Sequence, residues 1–294
     1  MVSVVIPAFN QAQVVGRALD SVAAQTFRDF EVIVVDDGST DQTAEVVSGA
    51  SIADLQMIRH QQNRGASAAR NTGIAAAAGR LLAFLDSDDI WHADKLARQV
   101  TALNRAPPNV KACASGYHLH KTSRKLTISP ALQPGQFQTE ILFGCTISPG
   151  TTLLVERSVF DVVGPFDNEL RRLEDWDWLL RFAERHDILF LPDVLATIYV
   201  DPLKARSVRV EEDLILQSIR YIGAKHLPRF QAMGGMPLRK FRSTLLLEIG
   251  AEGYRKRRPL QAAAYVLASL WVYPFRNAAF FRTLWHSIMS LARW

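Results

Sequence analysis

Two cysteines, Cys113 and Cys145, are all that 294 residues contain. That argues against a disulfide framework and fits a reducing compartment. The opening MVSVVIPAFN has neither a basic n-region nor a long apolar stretch, so no signal peptide is expected and the cytoplasm is the default location. No apolar run reaches the ~20 residues that crossing a bilayer requires. The longest, 260–275, is interrupted by Pro274 and followed by Arg276. Histidine at metal spacing is missing too: His118 and His120 alternate as strand or loop residues do, with no third ligand for zinc. No Ser/His or Cys/His arrangement suits nucleophilic catalysis, and Cys145 in FGCTISPG reads as a small buried residue.

Most of the chain also lacks a basic excess. The formal net charge is +5, but residues 1–237 carry 24 Lys and Arg against 27 Asp and Glu, while residues 238–294 carry 10 against 2. Basicity therefore belongs to the tail, which could face an anionic lipid surface or nucleic acid. The acidic body argues against nucleic acid. In the tail, RKRR at 255–258 precedes Trp271, Tyr273, Phe275, Phe280, Phe281 and Trp285, a pattern expected of an interfacial helix. Residues 255–294 are thus expected to associate peripherally with the cytoplasmic face of a membrane.

What is present is an ordinary globular balance, 48% hydrophobic and 21% charged. Strand-like runs at 2–6, 31–35, 55–59 and 81–85 alternate with helical patterns at 14–24, 66–78 and 94–103. Ser39 or Thr40 offers an N-cap for a helix after the second strand, Gly79 closes the third helix, and 151–155 suggests a later strand. A helix is expected over 174–185, and further helices over roughly 208–226, 238–257 and 260–272. Strand–helix alternation of this kind means an α/β fold with a mostly parallel sheet covered on both faces, whose ligands bind outside the carboxyl ends of the strands.

Three polar motifs fall at such ends: PAFN, DDGSTD and DSDD. In DSDD, a carboxylate pair one residue apart can hold a hard divalent cation, or the cluster can be a solvated turn. In DDGSTD, Asp37 can accept hydrogen bonds from a base or ribose, while Gly38, Ser39 and Asp41 equally make a sound turn. NRGASAARN at 63–71 joins a helix start to Arg64 and Arg70, a weak anion signal by itself. In LEDWDWLLRFAER, Glu174 and Asp175 either complement a helix dipole or supply a general base.

In this order, VSVVIPAFN, VVDDGSTD, NRGASAARNTG, LDSDD-W and VGPFDNEL…EDWDWLLR closely resemble the family 2 inverting glycosyltransferases over roughly residues 1–200. The resemblance implies a GT-A fold (a Rossmann-like, mixed and mostly parallel sheet), here with a C-terminal helical region. It also implies a nucleotide-diphospho-sugar donor and Mn²⁺ or Mg²⁺. Residues 1–115 would form the donor half, 116–207 the acceptor half, and 208–294 the basic helical tail. Pro7, Ala8 and Phe9 would line the base and ribose pocket, with Asp37 accepting from the base. Arg70 would lie near the nucleotide, Asp86 and Ser87 would sit on the donor side, and Asp88 would be the metal ligand. Asp89 would only shape the turn. Asp175 would be the catalytic base, removing a proton from a hydroxyl on a saccharide or lipid-linked acceptor. In two respects the chain departs from the family. A His expected after the base helix is replaced by IYVDPLKARSV, where Lys204 or Arg206 could neutralise the diphosphate. The Gln-x-x-Arg-Trp segment and membrane spans of processive synthases are absent, so transfer of one or a few sugars is expected. Two alternatives keep fewer of these features: a nucleotide-sugar-binding module without catalysis, and a nucleic-acid-binding protein acting through its tail.

Overall fold

The computed structural model describes residues 1–121, 124–129, 132, 135–145, 147–200, 214–255 and 258–274. Asp201, Lys204 and Arg206, part of RKRR, and the aromatics from Phe275 onward lie outside them. The chain divides into two compact units, Met1–Leu214 and Ile215–Trp294.

In the first unit, β1 (Val2–Ala8), α1 (Val15–Ala23), β2 (Phe30–Asp36), α2 (Thr43–Ser48), β3 (Leu55–Arg59), α3 (Ala66–Ala76) and β4 (Leu81–Phe84) follow the expected alternation. Then come β5 (Ile90–Trp91), α4 (Lys95–Asn104), β6 (Val110–Lys121), β7 (Arg124–Ile128), α5 (Phe137–Glu140), a 3-10 turn (Ile141–Phe143), α6 (Pro149–Thr152), β8 (Leu154–Glu156), α7 (Val159–Val163), α8 (Glu174–Phe182) and β9 (Asp187–Val200). Nine strands form one mixed sheet in the order β3-β2-β1-β4-β8-β6-β9-β5, with β7 beside β6. The β1–β2, β2–β3 and β1–β4 pairs are parallel, and β8 runs antiparallel to both β4 and β6.

β1 and β2 are continuous apolar runs because both their faces are covered: Val4, Val5, Ile6, Val32, Ile33 and Val34 are all fully buried. Each contributes about 1.5–3 kcal/mol from burial. The helices α1, α2 and α4 carry Val15, Leu19, Val22, Val47, Leu96 and Leu103 into the core on the face of Val4, Ile6, Val32 and Val34. Registers place Ala8 opposite Asp36 and Val5 opposite Phe84, so PAFN, DDGSTD and DSDD leave the sheet along one edge.

Several local expectations are corrected. The N-cap of α2 is Gln42, without a side-chain cap bond; Ser39 and Thr40 instead bond Asn10 of the neighbouring loop. Gly79 does not close α3, whose C-cap is Ala77; it is a close-approach glycine, where a Cβ would stand 2.7 Å from the Ser3 backbone nitrogen. The strand expected at 151–155 starts only at Leu154, because the residues before it form α6.

The second unit contains α10 (Gly235–Arg255) and α11 (Pro259–Val272), preceded by α9 (Leu214–Met233). Gly250 and Gly253 of α10 face Ala262 of α11, where a Cβ at 250 would lie 3.2 Å from the Ala262 carbonyl, so small residues let the two helices approach. Ser243 Oγ donates to the Ser269 carbonyl at 2.8 Å, and the Phe230 and Phe241 rings join α9 to α10 with centroids 4.5 Å apart. No helix among the described residues is long and apolar enough to cross a membrane.

Candidate active site

PAFN and DDGSTD form one unit. Asn10, at φ 52°, accepts from the Thr40 N–H at 2.8 Å and donates its own N–H to Ser39 Oγ at 2.9 Å. The Gln11 and Ala12 N–H groups donate to Thr43 Oγ1 and Asp41 Oδ2. The polar residues of the second motif thus satisfy the loop that enters α1, while Asp41 Oδ1 also accepts from the Thr43 N–H at the start of their own helix at 3.0 Å. Pro7 is half-buried and Ala8 buried, while Phe9 is 41% exposed.

Asp37 is buried and turned toward the segment entering α3. Its oxygens accept from the N–H groups of Arg64 (2.9 Å) and Gly65 (2.7 Å), and His60 Nδ1 lies 2.6 Å away. Both oxygens are therefore engaged by the protein. Gly65 sits at φ 93°, a backbone conformation that would strain any residue with a side chain.

The three carboxylates of DSDD occupy different surroundings. Asp86, half-buried, receives Arg70 Nη2 at 2.8 Å. Asp88 is also half-buried, and its carbonyl accepts from Arg17, whose guanidinium lies 4.0 Å from the Tyr199 ring centre. Ser87 is buried. Asp89 is buried as well: it accepts from the Thr151 hydroxyl and from the Tyr199 N–H at 3.0 Å, so it joins the turn to α6 and β9. Burial, with Asp86 nearby, pushes the Asp89 carboxyl up to about 8, and burial also raises that of Asp86 against the opposing pull of Arg70. A role limited to shaping the turn understates Asp89.

Among the described residues no three His, Cys, Asp or Glu side chains gather as a metal cage. The donor set that does exist, oxygen carboxylates one residue apart at a strand end, suits Mg²⁺ or Mn²⁺ taking its other ligands from water and substrate phosphates.

Opposite this turn stands the start of α8. Leu173 has left-handed backbone (φ 62°), a strained conformation for a branched side chain that costs about 1–3 kcal/mol. It sets the entry of the helix whose first residues are Glu174 and Asp175. Glu174 Oε1 receives Arg70 Nη1 at 2.8 Å, so one guanidinium bridges Asp86 and Glu174. Asp175 Oδ1 accepts from the Trp176 N–H, and Oδ2 lies 3.9 Å from Cys145 Sγ. Burial, followed by the Glu174 charge, raises the Asp175 carboxyl to about 7, although Arg70 pulls the other way. Further along, Trp176 and Trp178 donate their indole N–H groups to the Ile141 and Gly164 carbonyls, and Arg181 holds Asp177 and the Pro165 carbonyl. The helix thereby carries the loop around Gly164.

Tertiary structure thus brings Arg70, Asp86 and the Glu174–Asp175 pair together, with Asp88 on the same turn, and puts Asp37 beneath the next loop. Sequence reasoning missed Thr151, Gly150 and Cys145. Gly150 matters sterically: a Cβ there would stand 2.6 Å from Asp86 Oδ2 and 2.9 Å from Arg70 Nη2. The only local signal was its place in SPGTT, which reads as a turn.

Residues 3–164, more than half of the chain, match the family model described as Glycosyl transferase family 2. An uncharacterized glycosyltransferase of Rickettsia prowazekii is 30% identical over 200 residues, covering 66% of this chain and 62% of the relative. The chain thus spans less than two thirds of that relative's length. In Escherichia coli, the UDP-Glc:alpha-D-GlcNAc-diphosphoundecaprenol beta-1,3-glucosyltransferase WfgD is 38% identical over 103 residues, 35% of this chain and 41% of WfgD. Among solved structures, the mannosyltransferase PcManGT of Pyrobaculum calidifontis, in complex with GDP-Man and Mn²⁺, superimposes with a TM-score of 0.61 at 21% identity, over 100% of this chain and 80% of its own. The S. aureus TarS fragment 1–349 with UDP-GlcNAc gives 0.60 at 19% identity, over 91% and 88%. At these identities the likeness speaks for the fold.

Proposed function

The chain belongs to glycosyl transferase family 2, and from that premise we propose that it transfers a sugar, with inversion, from a nucleotide-diphospho-sugar to an acceptor hydroxyl. The observation that carries this reading is the bridge made by Arg70, which sets a carboxylate pair at the head of a helix against the DSDD turn. Of that pair, Glu174 has an oxygen committed to a permanent cation, whereas among the described residues Asp175 Oδ2 meets only a thiol. Asp175 is therefore the base.

Asp175 takes the proton of the acceptor hydroxyl as that oxygen attacks the anomeric carbon. The bond from the anomeric carbon to the diphosphate oxygen breaks on the opposite face, and its electron pair leaves with the nucleoside diphosphate. One displacement of this kind inverts the centre without a covalent enzyme intermediate. Pro7, Ala8 and the exposed Phe9 ring form the base side of the donor pocket. Asp37 acts there by holding the Arg64 and Gly65 loop, and Asp86 and Ser87 stand at the ribose and diphosphate side. Asp88, with Asp86 beside it, would hold Mn²⁺ or Mg²⁺, which when bound supplies neutralising charge for the leaving diphosphate.

Residues 1–115 then serve the donor and 116–207 the acceptor, in cell-surface polysaccharide or glycolipid assembly at the cytoplasmic side of a membrane. A lipid-linked acceptor is supported by the name of WfgD. Peripheral attachment through 255–294 is supported by α11, where Leu260, Leu267 and Trp271 are 87%, 66% and 86% exposed at helical spacing along one face. The deciding experiment screens UDP- and GDP-sugars for Mn²⁺-dependent transfer or hydrolysis and repeats it with Asp175→Asn. Turnover should vanish while nucleotide binding persists. Undiminished turnover in that variant would remove the base assignment, and no turnover with any donor would favour a binding module.

A further inference from the structure

The family resemblance puts Arg70 at the nucleotide. Its surroundings say otherwise. The Arg70 side chain is 7% exposed, and each Nη arm already meets a carboxylate at 2.8 Å, Asp86 at the end of β4 and Glu174 at the head of α8. Its third face rests over the Phe166 ring, 5.7 Å from the centre. Gly150 closes the last side so tightly that a Cβ would touch both Arg70 and Asp86. Both Nη arms are thus committed, and Nε, which has no hydrogen-bond partner among the described residues, is buried, so a donor phosphate meeting either arm would compete with an acid already held there.

Arg70 is also one of three contacts made by a single face of α3. Ser67, Arg70 and Asn71 stand at i, i+3 and i+4, on one side of the helix. Ser67 Oγ donates to the Leu170 carbonyl at 3.1 Å. The Asn71 amide exchanges two bonds with the Phe166 backbone, donating to its carbonyl at 2.8 Å and accepting from its N–H at 2.9 Å. This face therefore holds the chain from Phe166 to Glu174 at three points, across the segment that leads through strained Leu173 into the base. Of the three side chains, Arg70 alone also grips the donor turn.

We propose that Arg70 is a positioning residue and not a donor ligand: by bridging Asp86 and Glu174 it fixes the first turn of α8, and so Asp175, relative to the turn that receives the nucleotide sugar. The inference rests on Asp175 being the base. A planar fork is required for the task, because an ammonium is a point charge that cannot address two carboxylates in fixed directions. A shift of about 1 Å in the base would cost on the order of 10²-fold in turnover.

The test compares Arg70→Lys, Glu174→Gln and the double variant, using whichever of UDP and GDP binds the unaltered protein more tightly. Affinity for that nucleotide with Mn²⁺ is measured by calorimetry, and kcat with its sugar conjugate. Arg70→Lys and Glu174→Gln should each lower kcat on the order of 10²-fold with nucleotide affinity unchanged, which also shows that the variants are folded. The double variant should be no worse than either single one, since both break the same link. A loss of nucleotide affinity of about tenfold or more in Arg70→Lys, with kcat kept, would overturn the proposal, as would additive losses. Should Arg70→Lys fail to fold, Glu174→Gln alone decides: unchanged kcat sinks the link. Asp175→Asn separates the two levels, because activity surviving in that variant refutes the base itself, whereas an inactive Asp175→Asn beside a kinetically silent Glu174→Gln refutes only the bridge.

Discussion

Glu174 and Asp175 are sequence neighbours of the same charge, yet their surroundings give them different chemistry. Burial and the Glu174 charge raise Asp175 to about 7, and a base must be unprotonated to act. The rate should therefore rise with pH through the region near 7 and level off above it. A profile of kcat/KM against pH checks this, and a limb below pH 5 would show that Asp175 is not the group that titrates. The acids of DSDD are unequal in the same way. Asp88→Ala should abolish metal-dependent transfer. Asp89→Asn keeps an oxygen for the Tyr199 N–H but disturbs the Thr151 bond, so it should cost about 1–3 kcal/mol of stability in denaturant melts and leave measurable transfer. The reverse order of severity would exchange their roles. DDGSTD and DSDD were legible because each lies at the end of an apolar run, and the unequal roles of their members were not, because burial is a property of the neighbours.

Elements place these residues. α6 is only Pro149–Thr152, but it brings three groups to the DSDD side of the site: Gly150 against Asp86, the Thr151 hydroxyl on Asp89, and the Thr151 carbonyl on the Trp91 indole at 2.8 Å. Gly150→Ala should force the Arg70–Asp86 pair apart. Transfer should fall steeply and the melting temperature should drop; a variant with ordinary activity would mean that the pair yields at little cost. None of this was readable locally, since TTLLV has the β-branched character of a strand and starts as a helix whose Thr151 hydroxyl and Thr151 and Thr152 carbonyls find partners on distant residues, Asp89, Trp91 and Gln99. By contrast, β1, β2 and α1 were legible to within two residues at each end, as their patterns depend on which faces are covered and not on a distant partner.

At the scale of the whole molecule, the acidic body and basic tail divide the labour proposed here. Removing 255–294 should shift the protein from membrane to soluble fractions, and Trp271→Glu should weaken co-sedimentation with vesicles containing anionic lipid; no change in either would end the peripheral reading. The sequence alone determined the α/β alternation, the three motifs along one sheet edge and the helical tail, because hydrophobic period and turn chemistry are local. Only tertiary structure decided that Arg70 meets Glu174, 104 residues away, and that the Asp37 oxygens accept from the Arg64 and Gly65 N–H groups. Side-chain partners so distant in the chain leave no periodic trace. An arginine in a helix start looks like surface until the fold surrounds it with acids.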